Sequence, residues 1–305
     1  MSLQIRDFRP EDAAAVAEVR RAAVPMVITA EGIMWRWRSA PEAMRLRLLV
    51  AELDGQVVGE VPAMLAHESS TPGQGMAHTH VHPDFRRRGA GSALLAEAEK
   101  HLAAVGATTV FAYTDDEPGA LAFAERHGYR RTRRSHFLGL DLTTAELPPL
   151  ADPPPGITLH PASALAADPR TLYEADAETT QDEPADITVD RMGYDDWLQT
   201  TWRGPELDKD LTTVVMSGTE VVAFTLAYTD GRGRYMSGGT GCRRTHRGRG
   251  LAKLVKNASL HRARETGITK ALTGNDETNS PMLAINTWLG YHPTSAEWTC
   301  VRELS

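Results

Sequence analysis

The sequence predicts two tandem copies of one α/β (α+β) fold, each a mixed, mostly antiparallel twisted sheet flanked by helices. Three observations carry this. THVHPDFRRRGAG (79–91) returns as TGCRRTHRGRGLA (240–252) when Arg86 is set on Arg247, an offset of 161. At that offset Thr79 meets Thr240, Arg88 meets Arg249, Gly89 meets Gly250, Gly106 meets Gly267 and Asp115 meets Asp276. One inserted residue later, Gly128, Tyr129 and Thr132 meet Gly290, Tyr291 and Thr294. Strand-like and helix-like runs also follow the same order in both halves. Between them lies TTAELPPLADPPPG (143–156), whose five prolines suit a stiff, extended linker. The expected domains are therefore 1–145 and 157–305, joined by a Pro-rich linker at 146–156.

In the first copy LQIRDF reads as a short strand. Pro10 opens the helix EDAAAVAEVRRAAV, with acids at its positive end. A second helical region, interrupted by Pro41, runs to about residue 47. LLVAEL and QVVGEVPAML are strands joined by Asp54-Gly55, a hairpin signal. GMAHTHV is a further strand. A helix from about Ala90 to Val105 stops at Gly106, TTVFAYT is a strand, GALAFAERH a short helix, and YRRTRRSHFLGLDL closes the sheet. The second copy repeats this: ITLH, a helix from about Ala162, a variable stretch with a helix near 188–201, then LTTVVM, EVVAFTLAY and RYMSGGTGC. The helix GLAKLVKNASLHRARET, the strand ITKALTG, the helix NSPMLAINTWLG and a final strand complete it.

A length of 305 residues suits two domains, each able to bury its own core. The net charge of −7 disfavours nucleic acid as a partner, because that function wants a basic face. Two cysteines, Cys242 and Cys300, fit a reducing compartment better than a disulfide scaffold and leave no metal-type spacing. The N-terminus lacks a signal-peptide pattern and no run of about 18 apolar residues occurs, so no membrane partner and a cytoplasmic location are expected.

The arginine-glycine stretch is the chemical signal. A strand ends, a glycine-bearing loop turns, and a helix begins. The first backbone N–H groups of a helix lack intrahelical partners and sit at its positive end, which suits phosphate. Glycines let the backbone approach the anion, and arginines add charge-assisted bonds. The pattern is neither a P-loop nor a Rossmann fingerprint.

Arg86-Arg87-Arg88-Gly89-Ala90-Gly91 and Arg247-Gly248-Arg249-Gly250-Leu251-Ala252 resemble the Arg-x-x-Gly-x-Gly/Ala signature of the GNAT acetyltransferase superfamily, in its tandem form. The preceding Val81-His82-Pro83 and the Gly-Tyr pairs in ERHGY and TWLGY match it too. The resemblance covers both halves. It implies acetyl transfer from acetyl-CoA as cosubstrate to an amine of a small molecule or peptide, with no metal. Residues Arg86 to Ser92 and Arg247 to Ala252 would then hold the pyrophosphate. Val81 and Cys242, at the strand ends, would meet the pantetheine arm and polarise the thioester carbonyl. Asn279 matches a position that contacts that arm, and it also suits a helix N-cap before Ser280-Pro281. Glu117 stands there in the first copy.

One departure is notable. Where family members carry a tyrosine that protonates the leaving thiolate, this chain has Ala124 and Asn286. Asn286 is a candidate thiolate partner or a backbone-bonded amide. His78 and His80 share a strand face, and His80 is a candidate base or an outward-facing histidine. EADAETTQDEPADITVD (174–190) offers Glu178, Asp182, Glu183 and Asp186 to a cationic acceptor, with a solvated acidic loop as the alternative. Trp35 and Trp37 either wall an acceptor pocket or pack in the core. The second copy is favoured as catalytic. The competing expectation is an acyl-CoA-binding or sensing protein with one or both copies inactive. Nothing in the sequence fixes the oligomeric state.

Overall fold

A computed structural model describes residues 2–187 and 190–304. The chain forms two compact units. Unit 1 comprises Met1–Ser135, Ala185–Asp190 and Ser295–Ser305, and unit 2 comprises His136–Pro184 and Arg191–Thr294.

The elements of the first half are β1 (Leu3–Asp7), α1 (Ala13–Ala23), α2 (Ala30–Ser39), β2 (Arg47–Leu53), β3 (Gln56–Leu65), β4 (Gln74–Ala77), β5 (His80–Val81), α3 (Ala90–Ala104), β6 (Thr109–Asp115), α4 (Pro118–Arg126) and β7 (Arg130–Asp141). Those of the second are β8 (Ile157–Pro161), α5 (Arg170–Thr180), α6 (Tyr194–Trp197), β9 (Thr213–Ser217), β10 (Glu220–Thr229), β11 (Arg234–Cys242), α7 (Leu251–Glu265), β12 (Lys270–Asp276), α8 (Ser280–Trp288) and β13 (His292–Glu303). This is the expected mixed α/β order. The strand expected over GMAHTHV divides into β4 and β5. The helical region before β2 ends at Ser39, because Pro41 follows and only a 3-10 turn at Glu42–Met44 continues it. The helix expected near 188–201 is a short α6 that continues as a π-turn over Leu198–Trp202; Thr188 and Val189 lie outside the described residues.

The sheet of unit 1 runs β1-β2-β3-β4-β6-β13, with β5 also on β3. Neighbours are antiparallel except β4 and β6, which are parallel. Unit 2 runs β8-β9-β10-β11-β12-β7, with β11 and β12 parallel. The units do not follow chain order. The chain leaves unit 1 within β7, and β13 brings it back, where Glu297–Glu303 pair with Thr109–Asp115 of β6. Repeat matching cannot detect this exchange, because each closing strand carries the pattern suited to either sheet.

Both faces of each sheet are covered, so the strands alternate between two cores. In β2, Leu49 and Ala51 pack with Leu94, Ala98 and Leu102 of α3, while Leu48 and Val50 pack with Val16, Ala17 and Ile33 of α1 and α2. In unit 2, Val222 joins Leu251 and Val255, whereas Val221 joins Leu172, Trp197 and Trp202. Each fully buried leucine or valine contributes about 1.5–3 kcal/mol relative to exposure. The Pro-rich segment is docked within unit 2: Asn257 Nδ2 donates to the carbonyls of Pro148 (3.0 Å) and Pro149 (3.2 Å), and His261 Nε2 lies 2.9 Å from the Pro148 carbonyl. Prolines donate no N–H, so their carbonyls remain for side chains of α7 to bind.

Candidate active site

The two arginine-glycine loops fold alike. Gly89 and Gly250 form the N-caps of α3 and α7, each with positive φ (88° and 77°) and no side-chain cap. The first-turn amides of both helices therefore face outward without a side-chain acceptor, at the positive end of a 15-residue helix. Two residues earlier, Arg87 (φ 65°) and Gly248 (φ 76°) are also left-handed. Such alternation turns successive N–H groups into a concave anion cradle. Glycine adopts it without strain in unit 2, whereas unit 1 imposes it on an arginine. The first arginine of each motif is a brace. Arg86 Nε donates to the Val81 carbonyl (3.3 Å) and Arg247 Nε to the Cys242 carbonyl (3.1 Å), tying the strand end to the loop. Arg88 bonds the Asp84 carbonyl and lies 5.2 Å over the Phe85 ring. Arg249 is exposed.

The acidic stretch divides between the units. Asp186, in unit 1, accepts from Thr132 Oγ1. In unit 2, Glu178 accepts the Arg244 amide (2.8 Å), and Asp182 bridges the Arg244 and Arg247 guanidiniums. Glu174 pairs with Arg243 at 3.4 Å. Glu174 and Glu178 share one face of α5 and Asp182 follows its last turn, so these three carboxylates lie against the loop arginines rather than open to an acceptor. The Arg244 and Arg247 hydrogen bonds hold the Asp182 carboxyl down at about 2. Glu183 is exposed.

Beyond the loops, the parallel strands part. β4 and β6 pair only from Gln74↔Thr109 to Met76↔Phe111, and β11 and β12 only from Arg234↔Lys270 to Ser237↔Thr273. The two openings differ. In unit 2 the register of β11 on β10 shifts from Leu226↔Gly239 to Ala227↔Ser237, leaving Gly238 as a bulged extra residue. A Cβ there would sit 2.5 Å from the Tyr228 ring, which requires glycine. Unit 1 holds one register from Gly59↔Val81 to Ala63↔Ala77, with no extra residue. Its opening is bridged: Tyr113 N–H donates to His78 Nδ1 (3.2 Å), and the two rings stack at 4.4 Å. Burial holds the His78 imidazole well below its usual range, consistent with an unprotonated Nδ1. The matching positions in unit 2 are Gly239 and Gly274, which carry no side chain.

His80 Nδ1 lies 2.6 Å from Glu60 Oε1, and Arg20 grips the same carboxylate at 2.8 and 3.0 Å. His80 is thus held by the hydrogen bonds that surround the buried Glu60 carboxylate. Trp37 packs edge-on against Phe8 at 5.4 Å. Asn279 caps α8, accepting from the Met282 amide (3.3 Å). Asn286 is fully buried: its Oδ1 accepts from Lys256 Nζ and its Nδ2 donates to Asn275 Oδ1, both at 2.5 Å. Sequence reasoning missed Lys256, Asn275 and the bulge at Gly238. The signal for Lys256 was present, since at the repeat offset it faces Leu95.

The sequence profile of the Acetyltransferase (GNAT) family matches residues 17–129 and 171–290, one match in each half. The chain belongs to the GNAT acetyltransferase family. As a family member it is an N-acetyltransferase with a tandem GNAT architecture. It is 30% identical to a mycothiol acetyltransferase of Nocardia farcinica over 262 residues, covering 82% of this chain and 81% of that protein. It is 28% identical to a mycothiol acetyltransferase of Thermobifida fusca, covering 92% of each. Among solved structures, a tandem GNAT protein from the clavulanic acid biosynthesis pathway shares the fold with a TM-score of 0.74, 22% identity and coverage of 99% and 98%. No helix among the described residues is long and apolar enough to cross a membrane.

Proposed function

We propose that this GNAT protein transfers the acetyl group of acetyl-CoA to a primary amine of a small molecule, and that unit 2 carries the transfer. The observation that carries this reading is the bulge at Gly238, at the point where β11 and β12 part. A bulged strand re-aims its backbone and breaks the ladder, so amides near Gly238 and Gly239 are released toward a ligand. The pyrophosphate would rest on the amides of Leu251, Ala252 and Lys253 with the Gly248–Gly250 turn beneath it, and the pantetheine arm would enter the opening past Cys242. A main-chain donor at the thioester carbonyl stabilises the oxyanion of the tetrahedral intermediate. Holding the amine against that carbon supplies the remaining gain. Asn279, already an N-cap, would stand at the arm's flank. In unit 1, the His78–Tyr113 bridge closes the matching opening and His80 is engaged by Glu60, which supports coenzyme retention without transfer in that copy.

The test is thiol release from acetyl-CoA over a panel of amines that includes the acceptor of the mycothiol acetyltransferases. Amine-dependent release is expected. Tight coenzyme binding with no release on any amine would replace this reading with the sensing one.

The carboxylate just after α5 has its own consequence. Asp182 competes with phosphate for Arg244 and Arg247. These pairs are exposed and screened by salt, so Asp182→Asn should tighten coenzyme A binding by only about two- to five-fold at low salt. Titration calorimetry in 0.05 and 0.5 M salt checks this, with the gain shrinking at the higher salt.

A further inference from the structure

Unit 2 buries an amine that its fold does not require. Lys256, on the second turn of α7, is 1% exposed. Its Nζ bonds Asn286 Oδ1 (2.5 Å), reaches Thr273 Oγ1 (3.4 Å) and lies 5.5 Å from the Tyr291 ring centre. Thr273 is the last residue of β12 paired with β11, and its partner there is Ser237. The ammonium therefore sits where the two strands begin to part. Ser237 Oγ is buried beside the Tyr291 hydroxyl. Among the described residues no carboxylate faces this amine: burial alone shifts it, and the titratable group against it is the Tyr291 hydroxyl, itself raised by burial beside Tyr235.

Unit 1 is the internal control. Once the bulged Gly238 is counted as the extra residue, Lys256, Asn286, Thr273 and Ser237 correspond to Leu95, Ala124, Ala112 and Ala77. The same fold in the same chain fills this place with apolar side chains, three of them buried and Ala112 packed against that core. Burying an unpaired ammonium costs free energy that leucine does not, so its presence points to chemistry rather than packing.

We propose that Lys256 is the general acid of unit 2, protonating the coenzyme A thiolate as it leaves. This rests on the reading that unit 2 carries the transfer. The amine nitrogen forms the C–N bond, the C–S bond breaks, and its electron pair goes to sulfur. A proton passes from the Lys256 ammonium to that sulfur, giving the free thiol and a neutral lysine. The lysine regains one proton, matching the one the acceptor nitrogen releases to solvent. Asn286 holds the ammonium in place, and Asn275 holds Asn286. Burial brings Lys256 down to about 7, so the acid form is present below that pH and lost above it.

The experiment compares Lys256→Leu, Lys256→Met and Ala252→Glu with the intact protein. The two lysine variants should bind coenzyme A within two-fold of the parent and lose about 100-fold in kcat, with the alkaline fall of kcat near pH 7 abolished. Full kcat in either lysine variant, while Ala252→Glu abolishes transfer, would overturn the proposal and leave the unit 2 reading intact. Transfer surviving Ala252→Glu would overturn both. Loss of coenzyme binding in both lysine variants would make the lysine a structural necessity and also overturn the proposal. A second readout is stability. Below pH 7 the lysine is charged in both folded and unfolded chains. Between pH 7 and about 10 the unfolded chain binds the extra proton, so the parent gains stability with rising pH and Lys256→Leu lacks that gain.

Discussion

Ala252→Glu is expected to abolish acetyl transfer while leaving the fold intact. Ala252 lies at the second position of α7, among the amides that would receive the pyrophosphate. A carboxylate there is favourable to the helix, because it meets the positive end of the dipole, typically by about 0.3–1 kcal/mol. The same carboxylate occupies the anion cradle and repels a second anion. Coenzyme affinity in unit 2 should fall at least 100-fold, with kcat/KM falling as far. The matched change in unit 1 is Gly91→Glu, whose new Cβ would lie 3.4 Å from the Phe123 ring, an ordinary contact. Transfer should survive it. Calorimetry on each variant, with thermal unfolding as the control for folding, measures both effects. If Gly91→Glu is the variant that stops transfer, the roles of the two units are reversed.

The second large effect concerns stability. Glu60 is wholly buried and is held by Arg20 and His80. Burial alone would raise its carboxyl, but the Arg20 charge and the His80 hydrogen bond prevail and bring it down to about 2. A carboxyl lowered on folding stabilises the protein above its unfolded value and loses that contribution as pH falls through the folded one. Unit 1 should therefore lose about 3 kcal/mol between pH 4.5 and pH 2 from this residue. Glu60→Gln leaves Arg20 without its carboxylate and should cost about 3–5 kcal/mol at pH 7. Urea unfolding of both proteins at pH 7 and pH 2.5 tests it: the gap should narrow toward low pH, and a gap that stays constant would mean the carboxylate charge contributes nothing.

Much of this was legible in the residues. The strand end, left-handed turn and helix start of each loop were legible because Gly89 and Gly250 mark all three. Helix boundaries at Gly106 and Gly267 were visible for the same reason. The bulge was not visible, since one glycine among Gly238, Gly239 and Gly241 gives no sign of which residue is unpaired. The engagement of Glu178 and Asp182 by loop arginines was also hidden, because sequence shows charge but not which tertiary neighbour answers it. Lys256 was overlooked for a different reason: a lysine on a helix normally lies outside, and only the pairing with Leu95 marks it as inward.

The crossing of β7 and β13 has a consequence for biogenesis. When a ribosome has released residues 1–145, β6 still lacks the strand that covers its open side, and that strand, β13, is made only after the helices and strands of unit 2. An uncovered strand edge is a template for mispairing. Maturation of the first half therefore waits on translation through β13, and a premature stop before that strand harms the copy made earlier. A lineage cannot discard one half and keep the other as it stands, because each sheet is completed by a strand that lies beside the other half in the chain.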